Sequence, residues 1–406
     1  MSWPIVTLGE LALSVRNGMF ASRPTDEPPG TRILRISAVR DGRVNNADSK
    51  FVANLMSDQI EKFSVRPGDL LVTRYNGSRS LVGISGIVPP HEDPIVYPDK
   101  LIRIVVDRSL ADPRFVNYQF QSSHVRAYLE PRIRTTAGQS GINGADLRSV
   151  PLALPPCEEQ RRIVDLLEDH LSRLDAARRW VGQARIKLDA LVRSSLEAQF
   201  SGDNVVPLSE LIDDIAAGKS FGGSNAPAKI DEWGIIKVSA MTWGEFRPDE
   251  NKAVPASKVD PRFEIRQGDL LISRANTADY VGASVLVRQV RPRLLLSDKS
   301  LRITPKAGVS TEWFWRALQS PSARAQITKL ATGTKESMRN ISQSSLRRVL
   351  VPVADASKQV SAVATFDSLA VSSKHLRAEL VRCEARYQAL RRSLFSAAFS
   401  ERLTGG

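Results

Sequence analysis

The sequence predicts an α+β chain: two tandem α/β domains separated by two long helices, which pack as an antiparallel coiled coil about a pseudo-twofold axis. Three observations predict it. First, the stretch from Leu154 to Phe200 opens as Leu154-Pro155-Pro156-Cys157-Glu158-Glu159-Gln160-Arg161-Arg162-Ile163 and then runs as an unbroken helical pattern to Phe200. Its apolar seam is read as Leu167, His170, Leu174, Ala177, Val181, Ala184, Leu188 and Leu191, in alternating steps of three and four. Second, that register returns 199 residues on, as Phe366, Leu369, Ser373, Leu376, Leu380, Cys383, Tyr387 and Leu390. Third, the segments before each helix also recur, so the chain is an internal duplication.

Taken from the N-terminus, Val6–Leu11 reads as a short strand and turn entering a helix. Arg16–Gly30 is a polar loop containing Gly and Pro, and Arg32–Val39 alternates like a strand. Arg66-Pro67-Gly68-Asp69 is a turn signal before the apolar run Leu70-Leu71-Val72. Lys100–Val106 is another strand, Phe115–Leu129 has helical spacing, and Pro131–Asn143 reads as a basic, Gly-bearing loop. Pro155 and Pro156 suit neither a strand ladder nor a helix interior and mark the end of the first domain. Glu158 and Glu159 come next, where the helix dipole favours negative charge. The predicted ranges are 1–155 for the first domain, 156–202 for the central helix, 203–354 for the second domain and 355–406 for the distal helix.

The second copy repeats the scaffold. Val206–Leu211 matches the opening, Gly234–Ala240 the strand at Arg32, and Arg266–Arg274 the segment Arg66–Arg74. Asp298–Ile303 matches Asp99–Ile104, and Ile341–Val351 matches Ile142–Leu152. The loops between these anchors share almost nothing, which suggests one fold carrying two binding surfaces. A helix of about 43 residues is roughly 64 Å long at 1.5 Å per residue. If the second helix folds back on the first, the two domains sit at opposite ends of a rod. That rod matches about two turns of B-DNA, at roughly 34 Å each.

Composition narrows the function. The 406 residues carry a formal charge of +13, which points to a polyanion and, first among these, nucleic acid. No apolar run approaches a membrane span and no basic-then-apolar leader opens the chain, so a cytoplasmic location without membrane contact is expected. Two cysteines, Cys157 and Cys383, have no metal or disulfide spacing. The four histidines form no ligand cluster, and no Gly-rich phosphate loop or methyltransferase motif is present. No catalytic residue and no metal ligand is assigned.

Basic and amide residues near loops are the candidates for DNA contact, because Arg and Lys meet phosphates, Arg pairs with guanine and Asn with adenine. Arg74 and Asn76, with Arg274 and Asn276, lie just past an apolar strand in both copies, and Arg79 comes shortly after in the first. Arg35 and Lys237 occupy matching positions, as do Lys100 and Lys299. Arg132, Arg134 and Gln139 in one copy, and Lys335, Arg339 and Asn340 in the other, form loop sets. Asn17, Arg23, Lys219 and Asn225 are weaker choices. The alternative for each is a solvated charge, or an Arg tied to a carboxylate such as Asp69 or Asp269.

The pattern resembles the specificity subunits of type I restriction–modification systems. The likeness rests on Leu154-Pro155-Pro156-x-Glu158-Glu159-Gln160-x-x-Ile163, on Gly68-Asp69-Leu70-Leu71 and Gly268-Asp269-Leu270-Leu271, and on Phe200-Ser201-Gly202. The second helix entry departs from it, since Val351-Pro352-Val353 has one proline and Ser357-Lys358-Gln359 lacks the glutamate. The resemblance implies two target-recognition domains reading the halves of a bipartite, asymmetric sequence in double-stranded DNA. It implies docking of two methyltransferase subunits that carry S-adenosylmethionine, and of restriction/translocase subunits that use ATP and Mg. The chain itself would hold no cofactor and do no catalysis. Arg161, Arg162, Arg178 and Arg382 are then candidates for partner contact, against a solvated helix surface. Two other readings compete: an architectural coiled-coil DNA binder without sequence preference, and a nuclease built on Asp99 and Asp298.

Overall fold

A computed structural model of the chain describes residues 3–136, 138–200, 202, 204–221, 226–242, 244–335 and 338–399. Ser201, Asn225 and Ser400 lie outside the described residues. The chain divides into two compact units, Met1–Val181 with Val381–Gly406, and Gly182–Leu380.

In the first unit the main sheet has six strands, in the order Ala12–Asn17, Leu101–Val106, Leu70–Thr73, Ser85–Ile87, Gly42–Val44 and Val39–Arg40. Leu70–Thr73 is buried along its whole length, as its unbroken apolar run requires. The turn that feeds it needs Gly68, whose φ is +90°. Asp69 then turns inward: its carboxylate accepts the Arg66 backbone N–H at 2.6 Å and Arg103 Nε at 2.6 Å. Asp269 likewise accepts the Arg266 N–H at 2.9 Å and forms an ion pair with Arg302 at 3.0 Å. The shared Gly-Asp-Leu-Leu stretch is therefore a structural turn, and the arginines tied to it are Arg103 and Arg302.

A second sheet holds Ile95–Val96, Thr31–Leu34 and Ser49–Val52. The strand expected over Arg32–Val39 stops at Leu34, and Ile36–Ala38 forms a 3₁₀ turn. There the chain leaves one sheet for the other, and a continuous strand could not make that corner. The helical stretch Phe115–Leu129 is two helices, Pro113–Phe120 and Ser123–Leu129. Asp112 accepts from the Arg114 N–H and Ser122 from the Val125 N–H, so each helix has its own cap.

The second unit rebuilds the plan with a four-stranded sheet, Ile212–Ala217, Ser300–Pro305, Leu270–Ser273 and Ser284–Leu286. A three-stranded sheet (Asn251–Ala253, Gly234–Ile236, Leu294–Leu295) and the helices Thr311–Gln319 and Pro321–Leu330 complete it.

The two long helices are Cys157–Phe200 and Ala356–Ala398, and they pair antiparallel within each unit. In the first, Tyr387 Oη donates to Asp175 at 2.9 Å and Arg178 Nε pairs with Glu384 at 3.1 Å. In the second, Arg377 pairs with Asp189 at 2.8 Å and the Phe200 and Phe366 rings meet edge to face at 5.9 Å. The expected seam is half corrected. Leu167 and Leu188 are buried, and Leu174 and Val181 are partly buried. His170, Ala177 and Ala184 are exposed, as are Leu191, Leu376, Cys383 and Leu390. In the second helix Phe366, Ser373 and Tyr387 are buried as expected; Leu171 is buried in place of His170, and Val192 and Ala370 are partly buried, while the exposed Arg178 and Arg377 join the helices through ion pairs. Helix rotation is set by the domain at the helix entry. There Gln160 is 1% exposed, accepts the Asp112 N–H at 2.9 Å, and donates to Leu110 and Pro155 carbonyls at 3.2 and 2.9 Å. Gln359 repeats the clamp on Ser310 and Ala354, each at 2.8 Å.

Candidate nucleic-acid interface

In each unit a buried central strand runs into an arginine, and beyond it the chain leaves the sheet. In the first unit Tyr75–Asn76 pairs with Gln139–Gly141, which pairs with Arg134–Thr136. The segment expected as a basic loop over Pro131–Asn143 is thus largely a β-ribbon. Ser140 stands opposite Asn76 and Gly141 opposite Tyr75. In the second unit Ala275–Asn276 pairs with Met338–Asn340, which pairs with Thr332–Lys335. Here Ala275 faces Asn340 and Asn276 faces Arg339.

This pairing brings together residues that sequence spacing had left as separate sets. Arg74 and Asn76 share a ribbon with Arg134 and Gln139, and Arg274 and Asn276 share one with Arg339 and Asn340. Arg134, Gln139 and Asn340 are exposed. The lysines belong to the same place, because the Arg74 N–H donates to the Lys100 carbonyl and the Arg274 N–H to the Lys299 carbonyl, each at 2.8 Å.

The second unit's ribbon borders a hollow of about 600 Å³ lined by Arg274, Asn276, Lys299, Asn340, Asp298 and Met338. The side chains of Arg274, Lys299 and Lys237 make no hydrogen bond or ion pair among the described residues. Arg339 Nη1 donates to the Gly333 carbonyl at 3.1 Å. The side chain of Lys335 lies outside what the structure describes. Two cations with two amides can bind phosphate and read base edges at once.

In the first unit the Tyr75 ring lies against Gly141, where an added Cβ would come within 2.3 Å of it. The Arg74 guanidinium sits 4.6 Å from that ring's centre, a cation–π contact, and its Nη1 donates to the Asp99 carbonyl at 3.3 Å. Tyr75 was missed in the sequence, although an aromatic beside an arginine at a strand exit was a usable signal.

Several candidates are tied internally. Arg79 Nε bonds Glu130 at 2.7 Å, and its Nη atoms donate to the Ile133 and Glu130 carbonyls at 3.0 and 2.6 Å. It is a strut under the ribbon, and the bond holds the Glu130 carboxyl below the usual glutamate range, with help from Arg126. Arg132 donates to the Tyr128 carbonyl at 2.7 Å and lies 3.6 Å from the Tyr128 ring centre. Arg35 pairs with Asp26 and lies 3.8 Å from Asp48. Asn17 sits in the main sheet opposite Ile102, while Arg23 and Lys219 are exposed.

On the helices, Arg178 pairs with Glu384 at 3.1 Å and lies 3.8 Å from Asp41. Arg162 lies 3.7 Å from Glu159. Arg161 lines a cleft of about 570 Å³ with Arg108 and Pro67, and Arg382 is exposed. No helix of the described residues is long and apolar enough to cross a membrane.

Residues 2–179 match the family model described as the type I restriction modification DNA specificity domain. Over 191 residues the chain is 36% identical to the EcoKI type I restriction enzyme specificity subunit of Escherichia coli strain K12. That match covers 47% of this chain and 40% of the relative, so the chain spans less than half the relative's length. A structure from work on assembly and conformational transition of the type I R-M system is similar with a TM-score of 0.73 at 20% identity, over 98% of this chain and 97% of that one. The HsdS subunit from Thermoanaerobacter tengcongensis is similar with a TM-score of 0.53 at 21% identity, over 99% and 97%. These last two show the fold.

Proposed function

We propose that this chain is a member of the type I restriction–modification DNA specificity family and reads a bipartite, asymmetric sequence in double-stranded DNA. The observation that carries the reading is the pair of ribbons: one scaffold, built twice, presents Arg, Asn and Lys beside unlike neighbours. Like scaffolds fix a like approach to the duplex, and unlike side chains select unlike bases. An architectural binder without sequence preference would want the ribbons alike.

The domains at 1–155 and 203–354 each take one half of the target. The chain's part in the reaction is positioning. It holds the duplex so that methyltransferase partners can extrude and methylate a base. S-adenosylmethionine belongs to those partners, and ATP with Mg to the restriction partner. Arg161, Arg162, Arg178 and Arg382 are the helix residues that would meet partners.

The test is reconstitution with the methyltransferase subunits and mapping of methylated adenines. A split motif is expected, and exchanging residues 1–155 for another such domain should alter one half only. Methylation without a split motif, or metal-dependent DNA cleavage by the chain alone, overturns the reading.

A further inference from the structure

Phe20 is 80% exposed, the largest exposure of any large apolar residue among the described residues of the first unit. A lone exposed apolar side chain needs no explanation, but this one is anchored and lies beside the basic ribbon. Gly18 is forced to be glycine, since a Cβ there would meet the Pro98 carbonyl oxygen at 2.2 Å. Met19 is then clamped, its N–H donating to the Tyr97 carbonyl at 3.1 Å and its carbonyl accepting the Asp99 N–H at 2.8 Å. The Asp99 carbonyl in turn accepts from Arg74, and Lys100 is the next residue. So the backbone delivers Phe20 to the foot of the Arg74–Asn76 exit with its ring in solvent.

The second copy uses the same exit differently. Gly218 would meet the Ser297 carbonyl oxygen at 2.1 Å, and the Lys219 N–H donates to the Leu296 carbonyl at 3.3 Å. The residue matching Phe20 is Ser220, also exposed, while the loop's aromatic is the next residue, Phe221, only 3% exposed against Phe263. One copy turns its aromatic outward at a basic surface, and the other turns it into the core.

Resting on the DNA-reading function above, we propose that Phe20 is a specificity-determining residue of the first half-site, making an apolar contact with a thymine methyl group. Phosphates and polar base edges give a phenyl ring nothing, whereas the thymine C5-methyl is the apolar feature of the major groove. A pre-positioned ring also binds without the cost of ordering a loop.

The experiment uses the full chain assembled with its methyltransferase subunits, comparing wild type with Phe20→Ser and Phe20→Leu. Phe20→Ser should relax discrimination at one position of one half-motif by about tenfold or more. The other half, the slope of affinity against salt and the melting temperature should stay as they are. Phe20→Leu should keep most of the discrimination. In wild type, replacing thymine by uracil at that position should cost as much as the Phe20→Ser substitution, and in Phe20→Ser it should cost nothing. A split motif unchanged by Phe20→Ser, equal sensitivity of both proteins to uracil, or a loss of subunit assembly in place of discrimination overturns the proposal alone. A wild-type complex with no split motif takes down both readings.

Discussion

The ribbons of the two units share strand pairing and differ in what fills it. In the first, the Tyr75 ring packs on Gly141; in the second, Ala275 faces Asn340 and the ribbon borders a hollow of about 600 Å³. The struts differ too. Arg79 and Arg126 share Glu130 in the first unit. At the matching positions the second has Ala278, Arg324 and Thr328. Arg324 donates to the Asp279 carbonyl at 3.1 Å, and burial pushes its pKa down. The comparison teaches that a duplicated scaffold holds its backbone contacts and lets the side chains at its exits diverge.

The largest expected effect tests how equal the copies are where the helices end. Phe200 is fully buried, whereas its repeat Phe399 is partly exposed, 5.7 Å from Phe115. Phe200→Ala should cost about 3–5 kcal/mol in the second unit, and Phe399→Ala clearly less in the first. Hydrogen exchange resolved by unit checks this, and equal losses would break the asymmetry.

Grafting the second unit's ribbon onto the first comes next. Gly141→Asn alone should cost about 1–3 kcal/mol, because its Cβ meets the Tyr75 ring. Adding Tyr75→Ala should recover most of that loss, and a double-mutant cycle in chemical denaturation reads the coupling. Additive effects would show that the two positions do not share a space.

The clamps should behave alike and differ in size. Gln160→Ala and Gln359→Ala each strand buried partners, at about 1–3 kcal/mol, which chemical denaturation measures. Gln160, with three bonds against two, should lose more.

Acid gives the smallest effect. Glu130 is held below its ordinary value of 4.5, so the stability it contributes is present above that pH and lost as pH falls below it. The second unit has Thr328 there and nothing to lose. Protection from hydrogen exchange in Arg134–Thr136 and Gln139–Gly141 should therefore fall in acid before that in Thr332–Lys335 and Met338–Asn340, and Glu130→Gln should remove the difference.

The sequence by itself determined the duplication, the two long helices, the buried strands after Gly68 and Gly268, and the basic residues at their exits. Each of these is written in local spacing: a heptad, an apolar run, a turn that only glycine makes. Tertiary structure decided the rest. Which face of the helix becomes the seam depends on how Gln160 and Val164 dock against the domain, so His170 and Leu171 could not be ranked by spacing alone. The segment Pro131–Asn143 is a ribbon because Tyr75–Asn76 supplies a third strand from 55 or more residues away, an edge no local pattern encodes. Whether an arginine is tied or offered turned on distant carboxylates and carbonyls: Glu130 takes Arg79, while Arg274 keeps its guanidinium for a hollow that only the fold creates.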